Sequence, residues 1–210
     1  MRAATAHLRS TCPLFAALIA RVGPCRLAAV QEKREPYEAL VNAIAYQQLH
    51  GNAARAIIGR FLALYPGVPF PTPEMLLSTE ETTLRNCGFS GAKVAAIRDI
   101  AANAAAGVVP SRRAAARLSD AALIERLTTI RGVGRWTVEM LLMFSLGRMD
   151  VLPVDDFGVR EGYRLLYGLE TQPKPRELAA IGESWAPWLS VAAWYLWREA
   201  DAGKPIKQPG

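Results

Sequence analysis

The sequence predicts an all-α fold. Three features carry this. Apolar residues recur at i, i+3 and i+4 along most of the 210-residue chain. Glycine, proline and small polar residues stand where helices begin and end. No run alternates apolar with polar residues as a half-buried strand does.

Leu14, Phe15, Leu18 and Ile19 fit one face of a helix over residues 12–22, which Gly23-Pro24 stops. The same apolar run is too short to cross a bilayer, and no signal cleavage site follows it. Pro36 suits the first turn of a helix over 36–48, where Tyr37, Leu40, Val41 and Ile44 keep helical spacing. Gly51-Asn52 breaks that helix, with Asn52 placed as N-cap of the next, over 53–65. Prolines at 66, 69, 71 and 73 make 66–73 an ordered loop. Thr72-Pro73 starts a short helix, and Ser78-Thr79-Glu80-Glu81 reads as a capping box for another, closed by Gly88. Ser90 caps a helix over 91–106 that ends at Gly107, and Ser119 or Asp120 caps one over 120–129. A helix over 135–146 ends at Gly147, and 148–154 is an extended linker. The helix over 156–167 is closed by Gly168, and Pro175 and Pro187 open the last two. The polar tail from about 201 is expected to fray.

An apolar content of 51% excludes a disordered chain. A net charge of +6 and a pI near 9.5 favour a polyanionic partner. Cys12, Cys25 and Cys87 are too few and too scattered for a disulfide framework or a zinc site, and fit thiols in a reducing cytoplasm.

The segment from Leu127 to Thr137 has the form of a helix, a Gly132-Val133-Gly134 hairpin and a second helix. Two glycines in a tight turn let backbone N–H groups converge, and the following helix start adds donors and the positive end of its dipole. That arrangement suits an anion such as a DNA phosphate. About 20 residues on, the acidic pair Asp155-Asp156 follows Pro153 and precedes a helical pattern.

Together with Ala43-Ile-Ala-Tyr-Gln-Gln-Leu49, Gly88-Phe-Ser-Gly-Ala-Lys93 and Trp185-Ala-Pro-Trp188 ending at Trp197-Arg198, this order of motifs resembles the helix-hairpin-helix (HhH-GPD) base-excision DNA glycosylases. The branch it is most similar to contains DNA-3-methyladenine glycosylase II, and the resemblance runs from about Pro36 to Trp197. It implies two helical lobes around a cleft, one over about 37–148 and the other from about 1–36 plus 149–200, without the N-terminal β domain of some relatives. Some members carry a four-cysteine iron–sulfur cluster after the core; no cysteine follows Cys87, so none is expected here.

The resemblance also implies roles. Asp156, three residues before Val159, matches the catalytic acid, with Asp155 as the alternative in a one-residue shift of register. A fixed carboxylate stabilises the positive charge that develops on a sugar as its glycosidic bond breaks. Trp136, Met140 and Trp197 match positions around a flipped base, with Trp194 a further neighbour. Stacking on indoles favours an electron-poor, alkylated purine. Gln48 aligns with the residue that fills the gap in the base stack, and Leu49 is the second candidate. Gly132 and Gly134, with Arg135, the Thr137 hydroxyl and Lys93, are expected to grip phosphate. A monovalent cation, Na+ or K+, can sit in this family on carbonyls equivalent to those of Thr128, Ile130 and Val133; no other cofactor is expected. Bifunctional members carry a lysine where this chain has Trp136, so no strand-cutting activity is expected. Two departures stand out: Arg131 replaces a common proline, and Leu189 follows Trp188 where arginine is common.

The sequence therefore reads as a monomeric, monofunctional glycosylase of the bacterial cytoplasm. It is expected to release 3-methyladenine and 7-methylguanine from duplex DNA and pass the abasic site to a separate endonuclease. The alternatives are a non-enzymatic DNA-binding module and a glycosylase for deaminated or oxidised bases.

Overall fold

The computed structural model describes residues 1–32, 34–49 and 51–203. Thirteen α-helices and no strands appear among the described residues. None of these helices is long and apolar enough to cross a membrane. The chain divides into two compact units, Glu32–Leu141 and Met1–Gln31 with Leu142–Gly210.

The Glu32–Leu141 unit holds α3 (Pro36–Tyr46), α4 (Gly51–Ala63), α5 (Pro73–Ser78), α6 (Glu81–Asn86), α7 (Gly91–Ala105), α8 (Arg112–Ala115), α9 (Asp120–Leu127) and α10 (Arg135–Met140). Phe61 sits at its centre, edge-on to Tyr65, Phe70 and Phe89. Burying a ring of this size contributes about 1.5–3 kcal/mol. Local polar bonds set the helix starts. Thr72, Ser90, Ser111 and Ser119 each accept an N–H of their own helix's first turn. Two expected caps are not made. Asn52 lies inside α4, and its side chain accepts from Arg55. Ser78 and Thr79 donate back to the Met75 carbonyl, so Glu80 precedes α6 without a side-chain cap. A hydroxyl with a carbonyl one turn behind it takes that acceptor instead of waiting for the next helix.

The second unit holds α1 (Arg2–Thr11), α2 (Pro13–Val22), α11 (Phe157–Tyr167), α12 (Pro175–Gly182) and α13 (Leu189–Ala202). Helix α1 has no counterpart among the expected elements; only Ala4 and Leu8 anchor it, too thin a stripe to stand out. In α2, Phe15, Leu18 and Ile19 are buried, but Leu14 lies off that face and is 40% exposed. Phe15 meets Trp185 edge-on at 5.2 Å. Pro187 does not open the last helix. A short 3₁₀ turn at Glu183–Trp185 intervenes, and α13 begins two residues after the proline. Helix α13 continues through Ala202, so the start of the expected tail is helical and residues 204–210 lie outside the described residues. The helix expected over 135–146 is α-helical to Met140 and π-helical over Leu141–Leu146.

Candidate active site

The hairpin joins α9 to α10. Ile130 N–H bonds the Leu127 carbonyl and Val133 N–H the Ile130 carbonyl, which closes the turn. Gly132 has φ +78°, and a Cβ there would meet the Ala96 Cβ at 2.9 Å, so both backbone and space demand glycine. Gly134 is the N-cap of α10 without a side-chain cap, and a Cβ there meets nothing within 4 Å. The first amides of α10 thus face an open approach suited to an anion. Arg131 uses an amide that proline lacks: its N–H donates to Asp99 Oδ2 at 2.7 Å. Of the carbonyls expected to hold a cation, Thr128 and Val133 flank this turn, and that of Ile130 already accepts one N–H. A carbonyl has a second lone pair, so this bond leaves the Ile130 oxygen with acceptor capacity.

Three residues expected to grip phosphate behave differently. Thr137 is buried, 3% exposed, so its hydroxyl does not reach the surface. Arg135 projects outward but pairs its Nε at 2.8 Å with Glu139, a buried carboxylate one turn on. The Lys93 ammonium donates to the carbonyls of Ala45 and Gln47, both at 2.8 Å. Lys93 caps the end of α3, and its partial burial lowers its pKa from the usual lysine value. The phosphate role expected of Lys93 is thereby joined by a second one, the capping of α3. The ammonium lies closer to helix carbonyls, which a cation satisfies well.

Lys93 thereby pins the turn after α3. Gln47 adds a bond from its Nε2 to the Gly132 carbonyl at 3.2 Å, tying this turn to the hairpin. Next in the chain, Gln48 has φ +56°, the only positive φ outside glycine among the described residues. A left-handed glutamine is costly and persists where its surroundings over-determine it. Gln48 and Leu49, the two gap-filling candidates, are both exposed here, Leu49 by 40%.

A cavity of about 500 Å³ opens beside this turn, lined by Ala43, Tyr46, Gln47, Gln48, Trp136 and Met140. Trp136 and Met140 thus come together as expected. Ala43, Tyr46 and Gln47, from the end of α3 and the turn that follows, join them, and their i, i+3, i+4 spacing was the available signal. Trp136 is 42% exposed.

In the second unit, Asp156 is the N-cap of α11, and its Oδ1 accepts Val159 N–H at 2.8 Å. The same oxygen accepts the Trp197 indole N–H, also at 2.8 Å. Trp197 stacks on Phe144 at 5.9 Å between ring centres. It is therefore a hydrogen-bond partner of the carboxylate as well as a ring, a role the sequence did not suggest. Trp194, the further neighbour, is buried in the core, edge-on to Tyr195, with Arg198 over its ring. Asp155 is exposed, whereas Asp156 is half-buried and held by named donors, which favours Asp156 over its neighbour. Phe157, at the first turn of α11, is 71% exposed. Among the described residues no group of three His, Cys, Asp or Glu side chains could hold a metal ion.

Residues 41–187 match the family described as the HhH-GPD superfamily base excision DNA repair protein. The chain is 44% identical over 204 residues to DNA-3-methyladenine glycosylase 1 of Schizosaccharomyces pombe, covering 96% of this chain and 90% of that protein. It is 36% identical to the alkylbase DNA glycosidase-like protein mag2 of the same yeast, over 91% of this chain and 90% of the other. The structure of the S. pombe 3-methyladenine DNA glycosylase Mag1 in complex with abasic DNA superposes with a TM-score of 0.83 at 44% identity, covering 93% of this chain and 95% of that one.

Proposed function

The chain belongs to the HhH-GPD superfamily of base excision DNA repair proteins, and from that membership we propose that it is a monofunctional DNA glycosylase for alkylated purines. The observation that carries the reading is the Asp156 carboxylate, set by Val159 N–H and the Trp197 indole on one oxygen. The similarity to alkylbase glycosylases supports the substrate class.

The reaction follows from the residues. The hairpin amides at Gly132 and Gly134 hold a phosphate of the damaged strand. A monovalent cation on the Thr128, Ile130 and Val133 carbonyls would add positive charge there. The flipped nucleotide leaves a gap that Gln48 or Leu49 fills, offsetting an unstacking cost of about a few kcal/mol. The purine enters the cavity beside Trp136, Tyr46 and Met140. Alkylation at ring N3 or N7 makes the base cationic. When the C1′–N bond breaks, its electron pair goes to the ring and the base leaves neutral, so little acid catalysis is needed. Positive charge passes to the sugar, where the Asp156 carboxylate stabilises it. Water adds to C1′ and gives up a proton, leaving an abasic site on an uncut strand. Trp136 stands where a bifunctional enzyme carries its lysine, so no Schiff base forms. The protein acts as a monomer on duplex DNA, and a separate endonuclease takes the product.

The test is release of 3-methyladenine and 7-methylguanine from alkylated duplex DNA by wild type and Asp156→Asn. Asparagine caps a helix about as well as aspartate, so fold and DNA binding persist while release is nearly abolished. Strand breaks appear only after alkali. Near-wild-type release by Asp156→Asn removes Asp156 from the role, and breaks without alkali remove the monofunctional assignment.

A further inference from the structure

Helices α11 and α13 approach closely at two glycines of α11 spaced four residues apart, hence on one face. A Cβ on Gly162 would lie 1.9 Å from the Leu196 carbonyl oxygen and 2.5 Å from its carbon, so backbone meets backbone. One turn earlier, a Cβ on Gly158 would lie 2.9 Å from Trp197 Cδ1, 3.3 Å from its Nε1 and 3.2 Å from Asp156 Oδ1. The space flanking the Asp156–Trp197 bond is therefore the space left by the missing Gly158 side chain.

We propose that Gly158 and Gly162 are positioning residues for the Asp156 carboxylate: their bare backbones let α13 close in until the Trp197 indole N–H reaches Oδ1. The inference rests on the glycosylase reading of Asp156. Val159 N–H is local to α11 and caps almost any aspartate at this position. The Trp197 bond comes from 41 residues away, and it exists only if the helices approach this far. Two donors on one oxygen, one along the helix and one across from it, fix the side-chain torsions. Catalytic groups need placement within about 0.5 Å.

The two glycines call for different treatment. At Gly162 the obstacle is backbone, which cannot step aside, so a methyl there would part the helices and endanger the fold. At Gly158 the nearest obstacle is the edge of an indole, with Asp156 Oδ1 itself next at 3.2 Å. Restoring ordinary contact of at least 3.4 Å from 2.9 Å moves that ring by about 0.5 Å, which can stretch its 2.8 Å bond to Oδ1 to about 3.3 Å, past the usual range.

The test is a double-mutant cycle on Gly158→Ala and Trp197→Phe, read as single-turnover base release from alkylated duplex DNA. Gly158→Ala slows release by about tenfold, given that a 1 Å misplacement can cost ~10²-fold. DNA affinity and melting temperature stay near wild type. Trp197→Phe keeps a ring and loses the donor, and it also slows release. In the Trp197→Phe background Gly158→Ala costs less than in wild type, because the glycine acts mainly through the indole and only secondarily by its 3.2 Å approach to Asp156 Oδ1. The indole N–H resonance of Trp197 shifts upfield in Gly158→Ala as its bond lengthens. A wild-type rate for Gly158→Ala, or the same further loss from Gly158→Ala in the Trp197→Phe background, overturns the proposal. If the wild type itself releases no base, the glycosylase reading fails, and an unmoved indole resonance in Gly158→Ala then overturns the geometry separately.

Discussion

Replacing Lys93 by methionine separates two roles that its charge leaves open. Methionine keeps the apolar stem and deletes the ammonium, and with it two bonds of 2.8 Å to the Ala45 and Gln47 carbonyls. Hydrogen bonds to a charged group contribute about 1.5–3 kcal/mol each. Two offsets apply. The ammonium is partly desolvated, as its lowered pKa indicates, and at the half-buried Gln47 water replaces part of the lost bond, although Ala45 is fully buried. A net loss of about 1–3 kcal/mol follows, or a fall in Tm of about 2–4 °C for each kcal/mol in a chain of this length. Salt dependence supplies the second reading. A lysine that neutralises a phosphate adds about 0.9 to the slope of log K against log salt, and its removal takes that increment away. A lysine committed to helix carbonyls leaves the slope unchanged. The measurements are thermal unfolding and DNA-binding isotherms over a range of salt. An unchanged Tm with a slope reduced by about 0.9 would refute the capping role and restore Lys93 as a phosphate contact.

Gln48→Gly removes a side chain held at φ +56°. Relief of about 1–2 kcal/mol of left-handed strain offsets the entropy glycine adds to the unfolded chain, so Tm holds or rises. Base release falls about tenfold if Gln48 fills the gap left by the flipped base; unfolding and excision assays on one sample check both. Acid sensitivity concentrates at Glu161. Bonds from Arg164 and Gln172 hold its carboxyl down at about 2. Its pKa is thus lower in the folded protein than in the unfolded chain. Its stabilising contribution is present above the unfolded value of about 4.3 and is lost as pH falls from there toward about 2. Glu161→Gln flattens the acid limb of a Tm–pH curve over that window, and salt weakens the effect because the cluster lies near the surface.

Most of the helical architecture was legible because its punctuation is local. Ser90, Ser119, Gly107 and Gly168 act on backbone groups a few residues away, and the chain order displays them directly. What escaped depends on partners distant in sequence. Lys93 finds its carbonyls 46 and 48 residues back, and Trp197 finds Asp156 41 residues back. Neither the charge of one nor the ring of the other announces such a bond. Helix α8 is four residues long, below the length at which periodicity can speak. The π-helical turn closes its hydrogen bonds one residue later than an α-helix does, which spacing rules cannot resolve in a segment buried on most sides. Asp156 stood out through its motif; its preference over Asp155 became physical only with the two donors on Oδ1.

The pairing of Arg135 with Glu139 bears on how mutagenesis at the hairpin is read. The arginine is 58% exposed at its side chain and the glutamate 2%. The guanidinium is visible from outside, yet part of its work is inward, facing a carboxylate that water barely touches. Truncating it removes that cation from a buried acid, a change that can cost more than the pair ever contributed. An alanine scan of surface cations would score Arg135 as a DNA contact on the strength of a weakened hairpin. Substituting Arg135 and Glu139 together, by a neutral pair of matched size, separates the fold's demand for charge at this position from the nucleic acid's.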